Sequence, residues 1–470
     1  MYAGVDGYPE QQGDPSKTKF APRVGFVWSP EPRTVVRGGF GRFWAPIQYA
    51  YPTENRLGTR GFTTLTFLVA SLDGGLTPCP GCSFSDPFPG GVRQPIGSAD
   101  GILTDAGSGL TFVDQFRRSP YVDQFSIDVQ RELSSGMLAS IGYLGSRSRR
   151  LSIGGSESNV VNVNQLDPRF LSLGNALLDP VPNPFFGDPR FGPLSLSETL
   201  PRSQLLLPYP QFAGVFANQV SEGRAAYDAV VARLERRIHS GWGFAANYSL
   251  SRASDNLYSE GNYYSPTGGA PVDFGDAQAE YARSLADTPH RLNLVASAEL
   301  PFGRGKRWLS APGLKRALLG GWTLSIASFW RSGFPVSVIQ ENQNSGLSGT
   351  AQRPNLTGAD PRTPGGTEDR LTNWFNAAAW SPADPFTLGH APRTDTRVRT
   401  PSHKNTDIAL QKTERLRGSS TITLRAELIN AFNQPLLLGA GIVYGRSDFG
   451  RITGVGGFPR MLQVMARLAF

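Results

Sequence analysis

The run that most constrains the fold is the C-terminal stretch 459–470, where apolar side chains occupy every second position. One set is wholly apolar and comprises Leu462, Val464, Ala466, Leu468 and Phe470. The alternate set, which includes Gln463 and Arg467, is partly charged. A period of two predicts a β-strand with two different faces. Taken alone, the run fits either a soluble sandwich or a membrane barrel, in which the apolar face contacts lipid.

The segment 421–428 repeats the alternation. Its apolar face carries Ile422, Leu424, Ala426 and Leu428, and its polar face carries Thr421, Thr423, Arg425 and Glu427. Charges confined to one face indicate that this face contacts water. A strand that crosses a membrane needs about 9–11 residues, apolar outward and polar inward. Both segments are about long enough.

Composition excludes a helical membrane protein and leaves a barrel open. Only 39% of the 470 residues are hydrophobic, and no run approaches the ~18 apolar residues of a spanning helix. Barrel strands escape that criterion because only half of their side chains face lipid. The 54 glycines and 37 prolines favour turns and long loops over helices.

Alternating segments come in pairs that are joined by short turns and separated by long loops. The predicted strands lie near 20–28, 34–44, 121–133, 137–144, 225–238, 242–250, 291–300, 322–330, 403–413, 421–428 and 459–470. The long loops lie near 45–119, 145–223, 252–287 and 334–402. Segment 225–238 also fits a helical face, but its neighbours favour a strand. A short helix is expected near 314–319.

Segregation of loop length to alternate ends is typical of outer-membrane barrels, which have short periplasmic turns and longer extracellular loops. Aromatic residues also fall at the predicted strand ends, as in the girdles of such barrels. Those beside short turns are Trp28, Trp242, Trp322 and Phe470, and those beside long loops are Tyr121 and Trp330. We therefore predict an all-β fold in which 1–470 form a single antiparallel transmembrane β-barrel domain.

About eleven strands are predicted, whereas bacterial single-chain barrels normally have an even number. With an odd number, the first and last strands run in the same direction and cannot close an antiparallel sheet. The first residues also lack the basic and apolar regions of a signal peptide. We expect the chain to be the C-terminal portion of a longer barrel, and therefore a partial barrel.

The charge is +8, and only six of the 46 basic residues are lysine. Arginine suits bidentate contact with phosphate or carboxylate. No nucleic-acid-binding motif is recognisable, so phosphorylated surface lipid and a polar barrel lumen are the alternatives to nucleic acid as the reason for this charge. The two cysteines, Cys79 and Cys82 in CPGC, are candidates for a small disulfide turn or a free pair. Metal or redox chemistry lacks its ligands and its βαβ context.

Enzymatic function is not predicted. The sequence pairs no nucleophile with a base, and GRGKRW lacks the spacing of a phosphate-binding loop. Asp128 and Glu299, on predicted inner faces, are interpreted as lumen polarity. No catalytic residue, metal site or cofactor is expected.

Several stretches together resemble the Oar-like TonB-dependent receptors of the bacterial outer membrane. In chain order, they are FAPRVGFVW, TVVRGGFGRFW, PYVDQFSIDVQREL, ASIGYLGSRSRRL, YDAVVARLERRIHSGWGFAANYSLSRASDN, HRLNLVASAELPFGRGKRW, GGWTLSIASFWRSGFPVSV, RPNLTG, WFNAAAW, LRAELINAFNQP and ARLAF. They follow the family's order and cover nearly the whole chain. The family's plug, TonB box and regulatory-like N-terminal domain have no counterpart here.

The resemblance implies a receptor that moves a large substrate across the outer membrane of a Gram-negative bacterium. Its implied partners are outer-membrane lipid, the barrel-assembly machinery, the unidentified large substrate and, where a plug is present, TonB. The resemblance also implies that the terminal Phe470 is an assembly signal. The alternative is a surface-anchored structural or adhesive barrel without active transport. The direction of transport and the substrate-binding residues are not predicted.

Overall fold

A computed structural model describes residues 18–45, 62, 66, 76–77, 85–89, 91–97, 99–114, 116–153, 161–257, 271–416 and 419–470. Eleven long strands form one continuous antiparallel sheet. They are β1 (Arg23–Glu31), β2 (Thr34–Trp44), β3 (Tyr121–Glu132), β4 (Met137–Ile153), β5 (Val220–His239), β6 (Trp242–Asp255), β7 (His290–Glu299), β8 (Trp322–Arg331), β9 (His403–Arg415), β10 (Thr421–Ile429) and β11 (Met461–Ala469).

Each long strand pairs with its neighbours in the chain, so the sheet is a simple meander. Among the described residues, β1 pairs only with β2 and β11 only with β10 at the two edges of the sheet. The prediction of an all-β antiparallel sheet of about eleven strands is confirmed. The ambiguous segment 225–238 lies within β5 and is a strand.

Two predicted loop boundaries are wrong because strands continue beyond the alternating pattern. The loop predicted at 145–223 is confined to 154–219, since β4 runs to Ile153 and β5 begins at Val220. Gly145 still pairs with Asp228, and Arg149 with Arg224. The backbone ladder continues here, but both faces of the sheet are polar, so the periodic signal is lost. In the same way, β6 extends to Asp255, and the next loop is 256–289 rather than 252–287.

The remaining long loops are 45–120, 332–402 and 430–460, the last of which was not predicted as a loop. Together with 154–219 and 256–289, they connect the strands at one end of the sheet. At the other end the connections are short, and the longest, 300–321, contains the predicted helix as Leu314–Leu319. The predicted segregation of loop length is therefore confirmed.

The loops contain their own short elements. The short strands are Gly109–Val113, Val161–Asn162, Pro180–Pro182, Thr199–Pro201, Gly214–Asn218, Ala282–Arg283, Pro335–Val336, Ile339–Gln340, Asn355–Leu356, Trp380–Ser381, Asp395–Arg399, Leu436–Leu437, Val443–Tyr444 and Val455–Gly456. The other helical turns are Gly101–Leu103, Ser134–Gly136, Pro168–Leu178, Pro189–Leu196, Arg202–Leu205, Glu368–Arg370 and Ala377–Ala379. None of the described helices is both long enough and apolar enough to cross a membrane.

Strand register gives the sheet an apolar outer face and a polar inner face, because residues paired across strands share a face. One outer row consists of Ile326, Ile408, Leu428 and Leu462. The adjacent inner row consists of Ser325, Ala409, Glu427 and Gln463. On β8 the outer band runs from Trp322 to Trp330, about 27 Å of strand at ~3.4 Å per residue. That length suits the ~25 Å apolar band of a tilted barrel strand.

Buried apolar side chains lie almost entirely in the long loops. The largest cluster comprises Val336, Val338, Trp374, Phe375, Ala379, Trp380, Ala391, Val398 and Ala440. By contrast, outer-face residues of β11 such as Leu462 and Val464 are 66% and 73% exposed. The wall is therefore stabilised by its backbone ladder and by what surrounds it, and the loops are stabilised by packed cores.

Arginine substitutions at three positions test this assignment of faces. Ile326→Arg places a charge near the middle of the outer band and should destabilise the membrane-inserted protein by about 2–4 kcal/mol. Leu424→Arg should cost only about 0–1 kcal/mol, since Leu424 pairs with Lys412 near the short-turn end. Thr423→Arg, on the inner face, should be nearly neutral. Urea unfolding in lipid vesicles measures the three values, and equal costs at all three would contradict the assignment.

Candidate functional site

The inner face of the sheet presents polar side chains on successive strands. Its members include Gln124, Ser126, Asp128 and Gln130 on β3, Asn247 on β6, Asn293 and Ser297 on β7, and Gln411, Arg425 and Glu427 on β9 and β10. The alternation that places lipid-type residues outside places these residues inside. Asp128 and Glu299 lie on this face, which confirms where the sequence placed them.

A groove of about 870 Å³ follows the inner face across β5 to β10. Small residues on the inner face, namely Gly243, Ala245, Ser297, Ser325, Ala327 and Ala409, leave the space open. Charged side chains line it as well, and they are Glu235, Asp407, Arg425 and Glu427. The inner groove, as we call this cavity, is therefore wide and hydrophilic in part.

The charges of the inner groove are satisfied by neighbours on the same face. Arg425 donates to Glu427 and, at 3.2 Å, to Oε1 of Gln411. Asp407 accepts from Nδ2 of Asn405 at 2.9 Å and from the backbone N–H of Asn430 at 2.8 Å. Such pairs keep a lumen polar and carry no arrangement of nucleophile and base. Among the described residues, no three His, Cys, Asp or Glu side chains group as a metal site would require.

Over the long-loop end lies a folded unit, which we call the loop cap, formed by loops 256–289, 332–402 and 430–460. Strands Ile339–Gln340 and Val443–Tyr444 join the last two loops in a parallel pair. Four aromatic rings pack edge to face in the core between these loops. Phe449 lies 5.0 Å from Phe375, 5.8 Å from Trp380 and 5.3 Å from Tyr444, measured between ring centroids.

Buried ion pairs fix the loop cap to the strand ends on their inner side. Nη2 of Arg393 donates to Oδ1 of Asp255 at 2.7 Å and to the backbone oxygen of Asp255 at 2.8 Å. Asp255 is an inner-face residue, because it follows Ala253 and Ser251 in the alternation of β6. Nη2 of Arg399 donates to Oδ2 of Asp287 at 2.7 Å. Loop 332–402 therefore covers the mouth of the inner face.

A third ion pair, Arg353 with Glu280, lies wholly inside the loop cap, with the two side chains 8% and 1% exposed. Glu280 also accepts the backbone N–H of Val272 at 3.1 Å. A buried pair adds little net stability, but removal of one partner leaves an uncompensated buried charge. These pairs therefore determine how the loops are arranged more than how stable they are.

Exposed loop turns use the sequence Asp-Pro-Arg three times, at 167–169, 188–190 and 360–362. In each turn the carboxylate accepts the backbone N–H of the arginine two residues later. Hydrogen bonds from Arg362 lower the pKa of Asp360 from 3.8 to about 2. A lowered pKa stabilises the folded turn above about pH 4, and that contribution is lost as pH falls towards 2. The repeated tripeptide was a visible signal that the sequence interpretation missed.

The other predicted site residues have different outcomes. Cys79 and Cys82 lie outside the described residues, so the disulfide stays a prediction. Phe470 directly follows β11 at the short-turn end and is 91% exposed. The buried loop arginines, among them Arg353 and Arg393, were not predicted, because their partners are far away in the sequence.

The family of outer membrane beta barrel domains matches residues 1–463 of this sequence. The chain belongs to this family. It is therefore a barrel protein of the cell outer membrane of Gram-negative bacteria, with its long loops outside the cell and its short turns in the periplasm. No curated protein matches the chain.

Three solved structures are similar to this barrel over most of its length. The pyoverdine outer membrane receptor FpvA from Pseudomonas aeruginosa shares 10% identity at a TM-score of 0.41, covering 96% of this chain and 36% of the receptor. The outer membrane transporter YddB from Escherichia coli shares 8% at 0.40, covering 93% and 38%. The FrpB iron transporter from Neisseria meningitidis shares 7% at 0.39, covering 96% and 39%. The chain thus spans less than two-fifths of the length of each of these structures.

Removal of one buried partner should loosen the loop cap. Arg353→Met leaves Glu280 buried without its counter-charge, and local opening of the loops should become easier by about 3–5 kcal/mol. Hydrogen exchange at the Val272 amide, which bonds to Glu280, measures that change. The matched control Arg362→Met removes an exposed pair and should have little effect.

The double variant Arg353→Met with Glu280→Met should recover most of the lost protection, since it leaves no lone charge buried. Equal exchange in the Arg353→Met and Arg362→Met variants would contradict the role assigned to the buried pair.

Proposed function

We propose that this barrel is part of the wall of an Oar-like TonB-dependent receptor that moves a large hydrophilic substrate across the outer membrane. The observation that carries the proposal is the position of the loop cap. Loop 332–402 closes the long-loop end of a polar inner face through Arg393 and Arg399. A polar passage covered by movable loops on the outside is what a receptor-type transporter needs.

The order of the sequence stretches supports the same proposal, since they follow the Oar-like receptors along nearly the whole chain. In such a receptor, TonB supplies energy through a plug. The inner groove, with its paired charges, suits a substrate that carries polar groups and forms many weak contacts. Tight binding by the wall itself would require free charges aimed at the lumen, and Arg425, Glu427 and Asp407 are already hydrogen-bonded.

The alternative is a surface-anchored structural or adhesive barrel. It is favoured by the packed core of the loop cap, which makes the loops a folded surface rather than loose connections. In that case the loops bind a partner and the inner face remains closed. The two proposals differ in whether the loop cap must open.

A disulfide between two loops tests the opening. Ile339 and Val443 pair directly across the parallel strands of loops 332–402 and 430–460, so cysteines at both positions lie within the usual span of a disulfide. Cys79 and Cys82 are replaced by serine in this background. The matched control places cysteines at Asn355 and Ser381, which pair within one loop.

Cells that carry each variant are incubated with a mixture of large solutes, and mass spectrometry follows depletion from and release into the medium, with and without a protonophore. We expect some solutes to move only in energised cells that carry the protein. This movement should stop when the Ile339–Val443 disulfide forms, resume on reduction, and persist in the control. If no solute depends on the protein or on energy, the transport proposal fails and the surface-anchor alternative is favoured.

We also propose that Phe470 is recognised by the barrel-assembly machinery. Deletion of Phe470 should lower the amount of heat-modifiable barrel in the outer membrane, whereas Phe470→Trp, which keeps an aromatic end, should assemble normally. Electrophoresis with and without heating measures the folded fraction. Normal assembly of the deletion variant would contradict this role.

A further inference from the structure

Six arginines cluster on the outer face of β2 to β6, at the long-loop end. Their members, which we call the arginine belt, are Arg42, Arg147, Arg149, Arg150, Arg224 and Arg252. Register places five of them outside: Arg42 pairs through Asp123 with Arg147, Arg149 pairs with Tyr121 and Arg224, and Arg252 pairs with Asp228. The guanidinium of Arg150 lies over the Tyr121 ring at 5.5 Å.

Only two acidic side chains on this part of the outer face balance the arginine belt. Asp123 forms a two-pronged pair with Arg42 at 2.7 and 2.8 Å. Asp228 pairs with Arg147 at 2.9 Å and accepts the hydroxyl of Tyr143 at 2.5 Å. Six arginines against two aspartates leave an excess of four positive charges. Arg149 and Arg252 are exposed, and neither has an ion-pair partner within 4.0 Å in the part of the chain that the structure describes.

The height of the arginine belt along the strands matches the boundary of the apolar band. On β3 the outer residues Val129, Ile127 and Phe125 are apolar, and the next outer residue towards the long loops is Asp123. Tyr121 follows, and its ring lies 4.9 Å from that of Trp44. Aromatic rings mark the interface of a membrane barrel. The arginine belt therefore lies where lipid headgroups begin.

The positive charge is restricted to one side of the wall. At the same end, the outer positions of β7 to β9 carry His290, Trp330 and Lys404, with no arginine among them. A general need for charged residues at an interface would distribute them evenly. The confinement to β2–β6 indicates one binding region.

We propose that the arginine belt binds the phosphorylated headgroup of a lipid in the external leaflet. Guanidinium groups form bidentate contacts with phosphate oxygens, and basic clusters beside a membrane attract anionic headgroups. Arg149 and Arg252 supply unpaired charge, while Arg42 and Arg147 are oriented by their aspartates. The inference depends on the membrane location of the barrel and not on the transport proposed above.

Two charge-removing variants test the proposal on the full chain, purified in a neutral detergent. Native mass spectrometry measures the binding of lipid A that carries its phosphates, and of the same lipid after phosphatase treatment. Arg149→Gln and Arg252→Gln should each weaken binding of the phosphorylated lipid about fivefold, and the double variant about 25-fold. The control Arg291→Gln removes the same charge at the same end of the wall, but from the inner face, and should leave binding unchanged.

Rising salt should weaken the binding of phosphorylated lipid by the unaltered protein, because exposed charges are screened. This measurement serves if a variant fails to assemble, as judged by heat-modifiable mobility. Equal binding of phosphorylated and dephosphorylated lipid would overturn the proposal. So would an equal loss in the Arg291→Gln control, or displacement of the lipid by inorganic phosphate at similar concentration, which would assign the site to free phosphate.

Discussion

The constraint on which the structure depends is that backbone N–H and C=O groups inside a membrane must bond to each other. A meander of antiparallel strands satisfies this constraint across the eleven long strands. Once the backbone is fixed in this way, side chains can only point outward or inward. Ile326 and Ser325, adjacent in sequence, therefore lie in different solvents. The outer band, the inner groove and the arginine belt all follow from this alternation.

Lipid as solvent also decides where packing occurs. The outer face of the wall gains nothing from a packed core, and its apolar residues stay accessible. The loops lie outside the membrane and must bury their apolar residues against each other, as Phe375 and Trp380 do. They also bury charged residues in matched pairs. The stability of the loop cap thus resembles that of a soluble domain, and the stability of the wall does not.

The sequence predicted those parts of the molecule in which local pattern and environment agree. The outer row of β8, the helix Leu314–Leu319 and the two classes of loop are examples. It failed at 145–153, where β4 rises out of the membrane and alternation no longer distinguishes its faces. It also missed the pair of Arg393 and Asp255, because 138 residues separate the two partners. The arginine belt was missed because charges on an outer face look like the end of a strand.

The central claim, that the two faces of each strand contact lipid and water in turn, is tested most directly by spin labels placed singly along β8 in vesicles. Labels at Leu324, Ile326 and Ser328 should be relaxed mainly by oxygen, which dissolves in lipid. Labels at Thr323, Ser325 and Ala327 should be relaxed mainly by a water-soluble nickel complex. Accessibility that alternates with a period of two is the expected result, and a period near 3.6, or no alternation, would contradict the account.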